Sequence, residues 1–385
     1  MSTYAIKAEK LLLPAAVMRG GYLTVEDGKF GFWSAEAPEG LEVLDCSGKW
    51  VAPGLVDTHI HGFYNHATTD CDPAGIDVSS RELARRGTTS WLPTTFTESV
   101  ESIRAACGAI AEADENRGED FVGAHIQGIY LEGPFFTKEH VGAQNPAYLM
   151  DPSYEAFASW QEAAGGRIRK SALAAECEGA PEYCARVSAE GVVVCIGHTG
   201  ATFDEAMAAV NSGATCFTHT YNGMRGLHHR QPGVVGCAMT TLATYAEVIG
   251  DGIHVNPASI KALVDAKGWD HVALITDCLG PGGMPDGNYM SGGLPVVMRD
   301  GACYLADGSS LAGSIATLAS VVKNVYDWQI VTAEQALRMA TEVPARSAGI
   351  DGACGFIKPG RDADYIVLDS ELNLEATYMG GALVE

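Results

Sequence analysis

The sequence is poor in positive charge. Its 385 residues hold 25 Lys and Arg against 48 Asp and Glu, which gives a formal net charge of -23. This balance argues against nucleic acid or an anionic membrane surface as the partner, because both repel an acidic protein. An anionic small molecule is still compatible with the composition, provided that a local basic cluster overrides the global field.

Several other features are missing. None of the eleven cysteines forms a C-x-x-C pair, so a cysteine-built zinc module is not expected. No apolar run reaches the ~18 residues of a membrane span, and the N-terminus has no signal-peptide pattern. Since the cysteines are scattered and mostly lie in apolar runs, we expect buried, reduced thiols in a cytoplasmic protein. A hydrophobic content of 47% indicates a globular chain.

Both ends of the chain are typical of β-structure. "GYLTVEDGKFGFW" alternates around Asp27-Gly28, which predicts a hairpin. Near the C-terminus, "DADYIVLDS" and "ATYMGGALVE" are strand-like, with Gly380-Gly381 as a turn. We therefore predict a small β-sandwich domain that both termini build, from residues 1–52 and 353–385.

The middle of the chain alternates apolar runs with helical stretches. Continuous apolar strands between helices indicate a parallel sheet that is buried on both faces. Residues 53–352 are best accommodated by a (β/α)8 TIM-type barrel, which makes the whole an α/β protein. "LPVVMRDGACYL", with Asp300-Gly301 at its turn, predicts a hairpin inserted in a late barrel loop.

Polar residues follow the apolar runs at a repeated place. A lone histidine after a strand is more often a hydrogen-bonded core or rim residue than a ligand. Here the arrangement recurs at six strand ends, and the carboxyl ends of barrel strands converge on the mouth where active sites of this fold lie. The residues concerned are His59, His61, Glu132, His198, His219, His254 and Asp277.

These residue types suit a divalent metal. The His59-x-His61 spacing places both imidazoles on one face of a strand, because side chains alternate. Two histidines and one glutamate leave a coordination position open for water, as in catalytic zinc sites. An aspartate such as Asp277 could then take the proton of that water and pass it to the leaving group. The competing interpretation of Asp277 is a helix N-cap.

The motifs together resemble a known family. In order, the chain contains "PGLVDTHIHG", "LEGPFF", "GHTGAT", "THTYNGM", "RQPG", "DGIHV", "TDCLGPGG", "LAGS" and "ALRMATEVPA". Their order is similar to that in the N-acetylglucosamine-6-phosphate deacetylases of the amidohydrolase superfamily, over most of the chain. H-x-H marks the superfamily, whereas "LEGPF" with T-H-x-x-N-x-M and R-x-P-G is specific to this family and its close relatives.

The resemblance implies a role for each matched residue. It makes Glu132, His198 and His219 ligands of a principal divalent metal, with Asp277 as general base and acid. His59 and His61 would hold a second ion, so one or two ions per subunit, Zn²⁺ or Fe²⁺, are expected. The residues implied in substrate binding are Gln144, Asn222, Gly223, Arg230, His254, Ala312, Gly313 and Ser314.

The implied activity is hydrolysis of the N-acetyl group of N-acetylglucosamine 6-phosphate by a cytoplasmic homodimer. One alternative is the galactosamine epimer as substrate, and another is an inactive barrel that binds amino-sugar phosphates. A more distant alternative is a cyclic-amide or N-acyl-amino-acid hydrolase with a modified barrel lysine between two metals, a place that Glu132 would fill here. The chain departs from the family pattern at Gln144, Gly223 and Gln231, and Arg230 could instead form a structural salt bridge.

Overall fold

A computed structural model describes residues 3–118, 120–308 and 310–385. Its strands form a barrel, a sheet built from both chain ends, and a small inserted sheet. In chain order the strands are β1 (Tyr4–Leu12), β2 (Val17–Arg19), β3 (Tyr22–Glu26), β4 (Lys29–Ser34), β5 (Glu42–Pro53), β6 (Leu55–Ile60), β7 (Gly62–Phe63), β8 (His66–Ala67), β9 (Thr88–Thr95), β10 (His125–Ile126), β11 (Ile129–Leu131), β12 (Ile168–Leu173), β13 (Val193–Ile196), β14 (Ala214–Phe217), β15 (Tyr245–Ile249), β16 (Val272–Ile275), β17 (Gly287–Ser291), β18 (Leu294–Arg299), β19 (Ala302–Leu305), β20 (Leu311–Gly313), β21 (Tyr365–Leu368), β22 (Leu374–Met379) and β23 (Ala382–Leu383).

The helices begin at residues that suit their first turn. Asp72, Ser99, Ser153, Thr202 and Asn256 each accept a backbone N–H of the following helix with the side chain, which satisfies an amide that the helix leaves unpaired. The helices are α1 (Pro73–Ala84), α2 (Val100–Glu115), α3 (Tyr154–Ala163), α4 (Ala180–Ala189), α5 (Phe203–Asn211), α6 (Gly233–Thr240), α7 (Pro257–Lys267), α8 (Leu318–Asp327), α9 (Ala333–Met339) and α10 (Glu342–Ser347).

Eight parallel strands of the described chain form the barrel. Their order is β6, β9, β11, β12, β13, β14, β15 and β16, and each neighbouring pair in this order is parallel. A parallel bridge between Ile60 and Cys278 brings the last strand back to the first. Strands β6 and β9 are buried at every residue, as expected for a sheet covered by helices on one face and packed inside on the other.

Both chain ends share a second sheet. Strands β21 to β23 pair with one another and, through β21, with β5, which runs parallel to β1. The hairpin at Asp27-Gly28 and the turn at Gly380-Gly381 are present, with Asp27 and Gly28 both at positive φ. The sheet has a core of its own that includes Ile6, Val25 and Tyr365.

The predicted fold class, a barrel with a β-unit from both termini, is therefore confirmed. The hairpin at Asp300-Gly301 is part of a four-stranded antiparallel sheet, β17 to β20, inserted after the last barrel strand. The domain boundaries at 52/53 and 352/353 stay a prediction. The cysteines are free thiols, most of them buried. Within the described ranges, none of the helices is both long and apolar enough for a membrane crossing.

Candidate metal centre and substrate pocket

The carboxyl ends of the barrel strands bring the candidate ligands together. His59 lies on β6 and Glu132 directly follows β11, while His198, His219 and Asp277 each lie two residues beyond a strand. The last three have positive φ values of 46°, 26° and 50°. Non-glycine residues adopt this conformation at a cost, and such strain clusters at functional sites. These tight turns aim the three side chains into the mouth of the barrel.

Glu132 lies between two groups of ligand atoms. Its Oε1 is 2.9 Å from Nε2 of His219 and 3.2 Å from Nε2 of His198. The same carboxylate lies 3.3 Å from Nε2 of His59 and, through Oε2, 3.1 Å from Nε2 of His61. The ligand atoms of Glu132, His198 and His219 all lie within 4.8 Å of one another, and those of His59, His61 and Asp277 do so too.

All four imidazoles turn the same nitrogen towards this cluster. Nδ1 of His61 faces the carbonyl oxygen of Thr94, Nδ1 of His198 faces that of His140, and Nδ1 of His219 faces that of Asn222. Nδ1 of His59 faces a carboxylate oxygen of Glu247. Because these oxygens only accept hydrogen bonds, each Nδ1 carries a proton, and a neutral ring in this tautomer presents its Nε2 lone pair to the cluster.

This arrangement fits a divalent cation. The Nε2 atoms of His198 and His219 are only 3.1 Å apart, and both lie beside Glu132. Lone pairs and carboxylates held so close repel one another unless a positive charge lies between them. Nε2 of His59 is buried and has no hydrogen-bond partner. Imidazoles whose other nitrogen is fixed by an oxygen acceptor are the usual metal ligands, so the donor set matches the expectation.

The carboxylates of the cluster are held ionised. Burial raises the pKa of Glu132, but the charge of His59 and the hydrogen bonds from His198 and His219 bring it well below its usual range. Burial also raises the pKa of Asp277, and the charges and hydrogen bond of His59 and His61 outweigh it, so the net pKa is lowered. Asp277 is thus a carboxylate that can accept a proton. No helix of the described chain begins at Asp277, which excludes the N-cap interpretation.

A cavity of about 250 Å³ opens above the cluster. Six of the eight predicted substrate-binding residues line it, together with four of the five predicted metal ligands, Asp277 and one aromatic ring. The lining residues are His61, Phe96, Glu132, Gly142, Ala143, Gln144, His198, His219, Asn222, Gly223, His254, Asp277, Ser310, Leu311, Ala312 and Gly313.

His254 is prepared as a hydrogen-bond donor in this cavity. Its Nδ1 lies 2.6 Å from the carboxylate of Asp251, and its buried Nε2 has no partner. Burial lowers the pKa of His254, but the hydrogen bond and charge of Asp251 outweigh this and raise it overall. The partnerless Nε2 can therefore carry an N–H towards an anionic or carbonyl oxygen of a ligand.

Two predicted binding residues lie outside the cavity. Ser314 is buried, its hydroxyl donates to the carbonyl of Thr276, and its backbone N–H donates to the carbonyl of Asp277 over 2.9 Å. Ser314 therefore holds the backbone of Asp277 in place and does not face the cavity. Arg230 is exposed and lines a separate surface hollow that also includes Arg225. Arg230 forms no ion pair with any residue that the structure describes, so the salt-bridge interpretation finds no partner among them.

Sequence reasoning missed a buried pair below the ligands. Lys170 on β12 and Glu247 on β15 are fully buried and bonded to each other inside the barrel. Burial raises the pKa of Glu247, but Lys170 and His59 bring it down to about 2. The signal was available, because charged residues interrupt the apolar strands "IRKSAL" and "YAEVI", and one of them in each strand, Lys170 and Glu247, is buried.

The chain is similar to known proteins over its whole length. The amidohydrolase family profile matches residues 50–384. The chain is 35% identical over 381 residues, 99% of either sequence, to an N-acetylgalactosamine-6-phosphate deacetylase of Escherichia coli O157:H7. It is 38% identical over 332 residues, 86% of this chain and 82% of the relative, to an N-acetylglucosamine-6-phosphate deacetylase of Vibrio furnissii.

A solved structure agrees closely in fold. It is an alanine variant of N-acetyl-D-glucosamine-6-phosphate deacetylase from Mycobacterium smegmatis, in complex with N-acetyl-D-glucosamine-6-phosphate. The TM-score is 0.94 at 28% identity, and the match covers 100% of both chains. With the profile match and the converging ligands, these similarities place the chain in the amidohydrolase family, in the branch that contains the N-acetylglucosamine-6-phosphate deacetylases, as a metal-dependent hydrolase of amide bonds.

Proposed function

We propose that the protein removes the N-acetyl group of N-acetylglucosamine 6-phosphate and releases acetate and glucosamine 6-phosphate. The observation that carries the proposal is the meeting of four Nε2 atoms and two carboxylates, those of Glu132 and Asp277, at the floor of a cavity lined by His254. The relatives named above, whose own names state this chemistry, support the substrate class.

The metal would be held by the residues that already converge. Glu132, His198 and His219 supply the principal site, and His59 and His61 supply a second site, with Glu132 between the two. When bound, the metal polarises the amide carbonyl and makes a water molecule acidic enough to act near neutral pH. Imidazole and carboxylate donors suit Zn²⁺ and Fe²⁺, which are the ions that we propose.

Asp277 is proposed to move the proton. Its carboxylate lies 3.2 Å from Nε2 of His61 and reaches the cavity, with 13% of the side chain exposed. As an ionised group it accepts the proton of the attacking water and returns it to the amine nitrogen that leaves. The N–H of His254 would orient the substrate through one of its oxygens, and Asn222 and Gly223 would contribute to the same side of the pocket.

A second copy of the chain would complete the phosphate site. Arg230 is the one guanidinium among the substrate-binding residues that the family resemblance implies, yet in the single chain it lines a surface hollow and not the cavity. We propose a cytoplasmic homodimer in which Arg230 of each subunit reaches the cavity of the other. A guanidinium binds phosphate oxygens through two parallel hydrogen bonds, which an exposed position leaves available.

A second candidate substrate is N-acetylgalactosamine 6-phosphate. The Escherichia coli relative that matches 99% of the chain bears this name, and the two sugars differ only in the configuration of one hydroxyl. Acetate release from both epimers, measured as kcat/KM on metal-loaded protein, decides between them. A higher kcat/KM for the glucosamine form is expected, and a higher value for the galactosamine form would transfer the assignment to that epimer.

A further inference from the structure

Beneath the metal cluster, the barrel encloses a charged pair that the proposed chemistry does not use. The ammonium of Lys170 contacts Oε1 of Glu247 and lies 4.5 Å from the centre of the Tyr130 ring. All three side chains are fully buried. A buried ion pair is commonly no more stabilising than apolar residues of the same volume, so stability alone gives little reason for this one.

The second oxygen of Glu247 connects the pair to the metal cluster. Oε2 lies 3.1 Å from Nδ1 of His59 and 3.4 Å from the backbone nitrogen of His219. The backbone carbonyl of Glu247 also accepts the N–H of Thr220 over 2.8 Å. Glu247 therefore contacts one ligand from each of the two ligand groups. Its side chain contacts the ring of His59, and its side chain and its backbone carbonyl both contact the turn that carries His219.

The contact with His59 decides which ring nitrogen carries the proton. A carboxylate paired with Lys170 offers only acceptor oxygens, so Nδ1 of His59 donates. In the neutral ring, Nε2 then keeps its lone pair, 3.3 Å from Oε1 of Glu132 and 3.5 Å from Oδ1 of Asp277. Two carboxylates cannot donate a hydrogen bond to that lone pair while they are ionised, which leaves a cation as its partner.

We propose that Glu247, charge-balanced by Lys170, is a positioning residue of the metal centre that fixes His59 in the tautomer whose Nε2 binds metal. The inference rests on the metal-binding part of the proposed function and is independent of the substrate. Groups that orient metal-binding imidazoles typically change metal affinity 10–100-fold when they are removed. The strand interior, and not only the strand ends, would then belong to the site.

Two variants that both remove the buried charges isolate the effect. Lys170→Met with Glu247→Gln keeps an acceptor for His59, because the amide oxygen can face Nδ1 while the amide N–H faces the Tyr130 ring. Lys170→Met with Glu247→Leu keeps the volume and removes the acceptor. In both double variants positions 170 and 247 are uncharged, so neither protein contains an unpaired buried ion that would prevent folding. Circular dichroism and thermal unfolding verify the fold of each.

The readout is metal affinity, measured by competition of Zn²⁺ with a chromophoric chelator. The Glu247→Leu pair is expected to bind the ion at His59 10–100-fold more weakly than the Glu247→Gln pair, which stays close to wild type. Equal affinities in the two pairs would overturn the inference. Zinc binding by the wild type tests the metal-binding proposal itself, so its failure is distinguishable from a failure of this inference.

A third variant tests the tautomer in the opposite direction. In Glu247→Gln alone, Lys170 remains charged and attracts the amide oxygen, so the amide N–H turns to Nδ1 of His59 and forces the proton onto Nε2. This single variant should bind metal more weakly than the double variant with Lys170→Met and the same glutamine, through the changed tautomer and through the unpaired charge of Lys170. The two Lys170→Met double variants carry no such charge, so their comparison isolates the effect of the tautomer. The matched control is Glu342→Gln, a buried glutamate paired with Arg338 away from the cluster, which should leave zinc affinity unchanged. A loss equal to that of Glu247→Gln would overturn the inference.

Discussion

The side-chain amide of Gln144 donates a hydrogen bond to Oε2 of Glu132 over 2.5 Å, while its carbonyl oxygen accepts the backbone N–H of Thr97 over 2.6 Å. The sequence assigned Gln144 to the substrate, and the structure adds a direct contact with the carboxylate shared by both ligand groups. Gln144 lines the cavity as well, so it can serve both the ligand cluster and the bound sugar.

Gln144→Leu should therefore weaken metal binding. The substitution keeps the volume but removes the donor, so Glu132 loses a fixed orientation and we expect roughly a 10-fold lower metal affinity. Zinc competition measures this. The control is Gln161→Leu, since Gln161 also bonds through both ends of its amide, to the backbone of Ile168 on the outside of the barrel. Unchanged affinity in Gln144→Leu would mean that the contact with Glu132 is incidental.

Replacement of both His59 and His61 should lower the metal content by one ion per subunit. His59→Ala with His61→Ala leaves the Glu132, His198 and His219 ligands in place, so the principal ion should remain. Elemental analysis of the purified variant against wild type, under the same zinc supply, measures the difference. Loss of all metal would show instead that these two histidines belong to the principal site.

Asp277→Asn should separate catalysis from metal binding. An amide cannot take the proton of the attacking water, and general acid–base groups contribute ~10²–10⁴-fold to the rate. We expect kcat to fall by at least that order, with little change in KM and with the metal retained. Acetate release and elemental analysis on the same preparation check both. Turnover close to wild type in the metal-loaded variant would remove Asp277 from the mechanism.

The loss of kcat/KM in Arg230→Ala should depend on whether the substrate carries a phosphate. Hydrogen bonds to charged groups contribute ~1.5–3 kcal/mol, which is roughly 10–150-fold in kcat/KM for the phosphorylated sugar. The unphosphorylated N-acetyl sugar, a poor substrate, should be nearly indifferent. Equal relative losses on both sugars would mean that Arg230 supports the structure and not the phosphate.

Mixed dimers test whether Arg230 acts across the interface. Arg230→Ala and Asp277→Asn chains, refolded together, should regain about a quarter of wild-type activity, since half the dimers are mixed and one of their two sites is intact. No gain over the separate variants would place Arg230 in its own subunit's site or outside the site altogether.

Lys267 should make the free energy of unfolding rise with pH in the alkaline range. Its buried ammonium donates to the carbonyls of Ala238 and Thr241 and to the hydroxyl of Thr244, at the end of α6. Burial lowers the pKa of Lys267 from 10.5 to about 8. Between these values the unfolded chain binds more protons than the folded one, so the free energy of unfolding rises with pH across this window.

Urea unfolding of wild type and Lys267→Met at pH 7.5, 8.5 and 10 measures this. The wild type should gain stability relative to the variant as the pH rises, by on the order of 2–3 kcal/mol up to pH 10 at ~1.4 kcal/mol per pKa unit. Below pH 8 the difference should be constant. A difference that shrinks with rising pH would contradict the assignment, because other titrating groups are common to both proteins.

The predictable part of the site follows from one geometric rule. Because the carboxyl ends of parallel barrel strands meet, a histidine or carboxylate at each end could be placed at one mouth without knowing any distance. His59, Glu132 and Asp277 were found in this way. The fold followed from the same alternation, since continuous apolar runs between helices have few other solutions.

The rest of the site could not be predicted, because it depends on contacts that no local sequence pattern contains. Lys170 and Glu247 lie 77 residues apart and meet only through barrel closure, so their pairing is invisible to spacing. The position of Arg230 depends on the course of a surface loop, and its proposed role depends on a second chain. The family resemblance implied only a substrate contact for Gln144, and its contact with Glu132 is set by the loop that follows β11.

The most direct test of the account is metal-dependent release of acetate from N-acetylglucosamine 6-phosphate. The protein is stripped with a chelator, assayed, reloaded with Zn²⁺ or Fe²⁺ and assayed again for acetate and free amine. The account predicts no turnover after stripping and equal amounts of both products after reloading. Undiminished hydrolysis by fully stripped protein, or a metal-loaded protein that binds the sugar phosphate and releases no acetate, would contradict it.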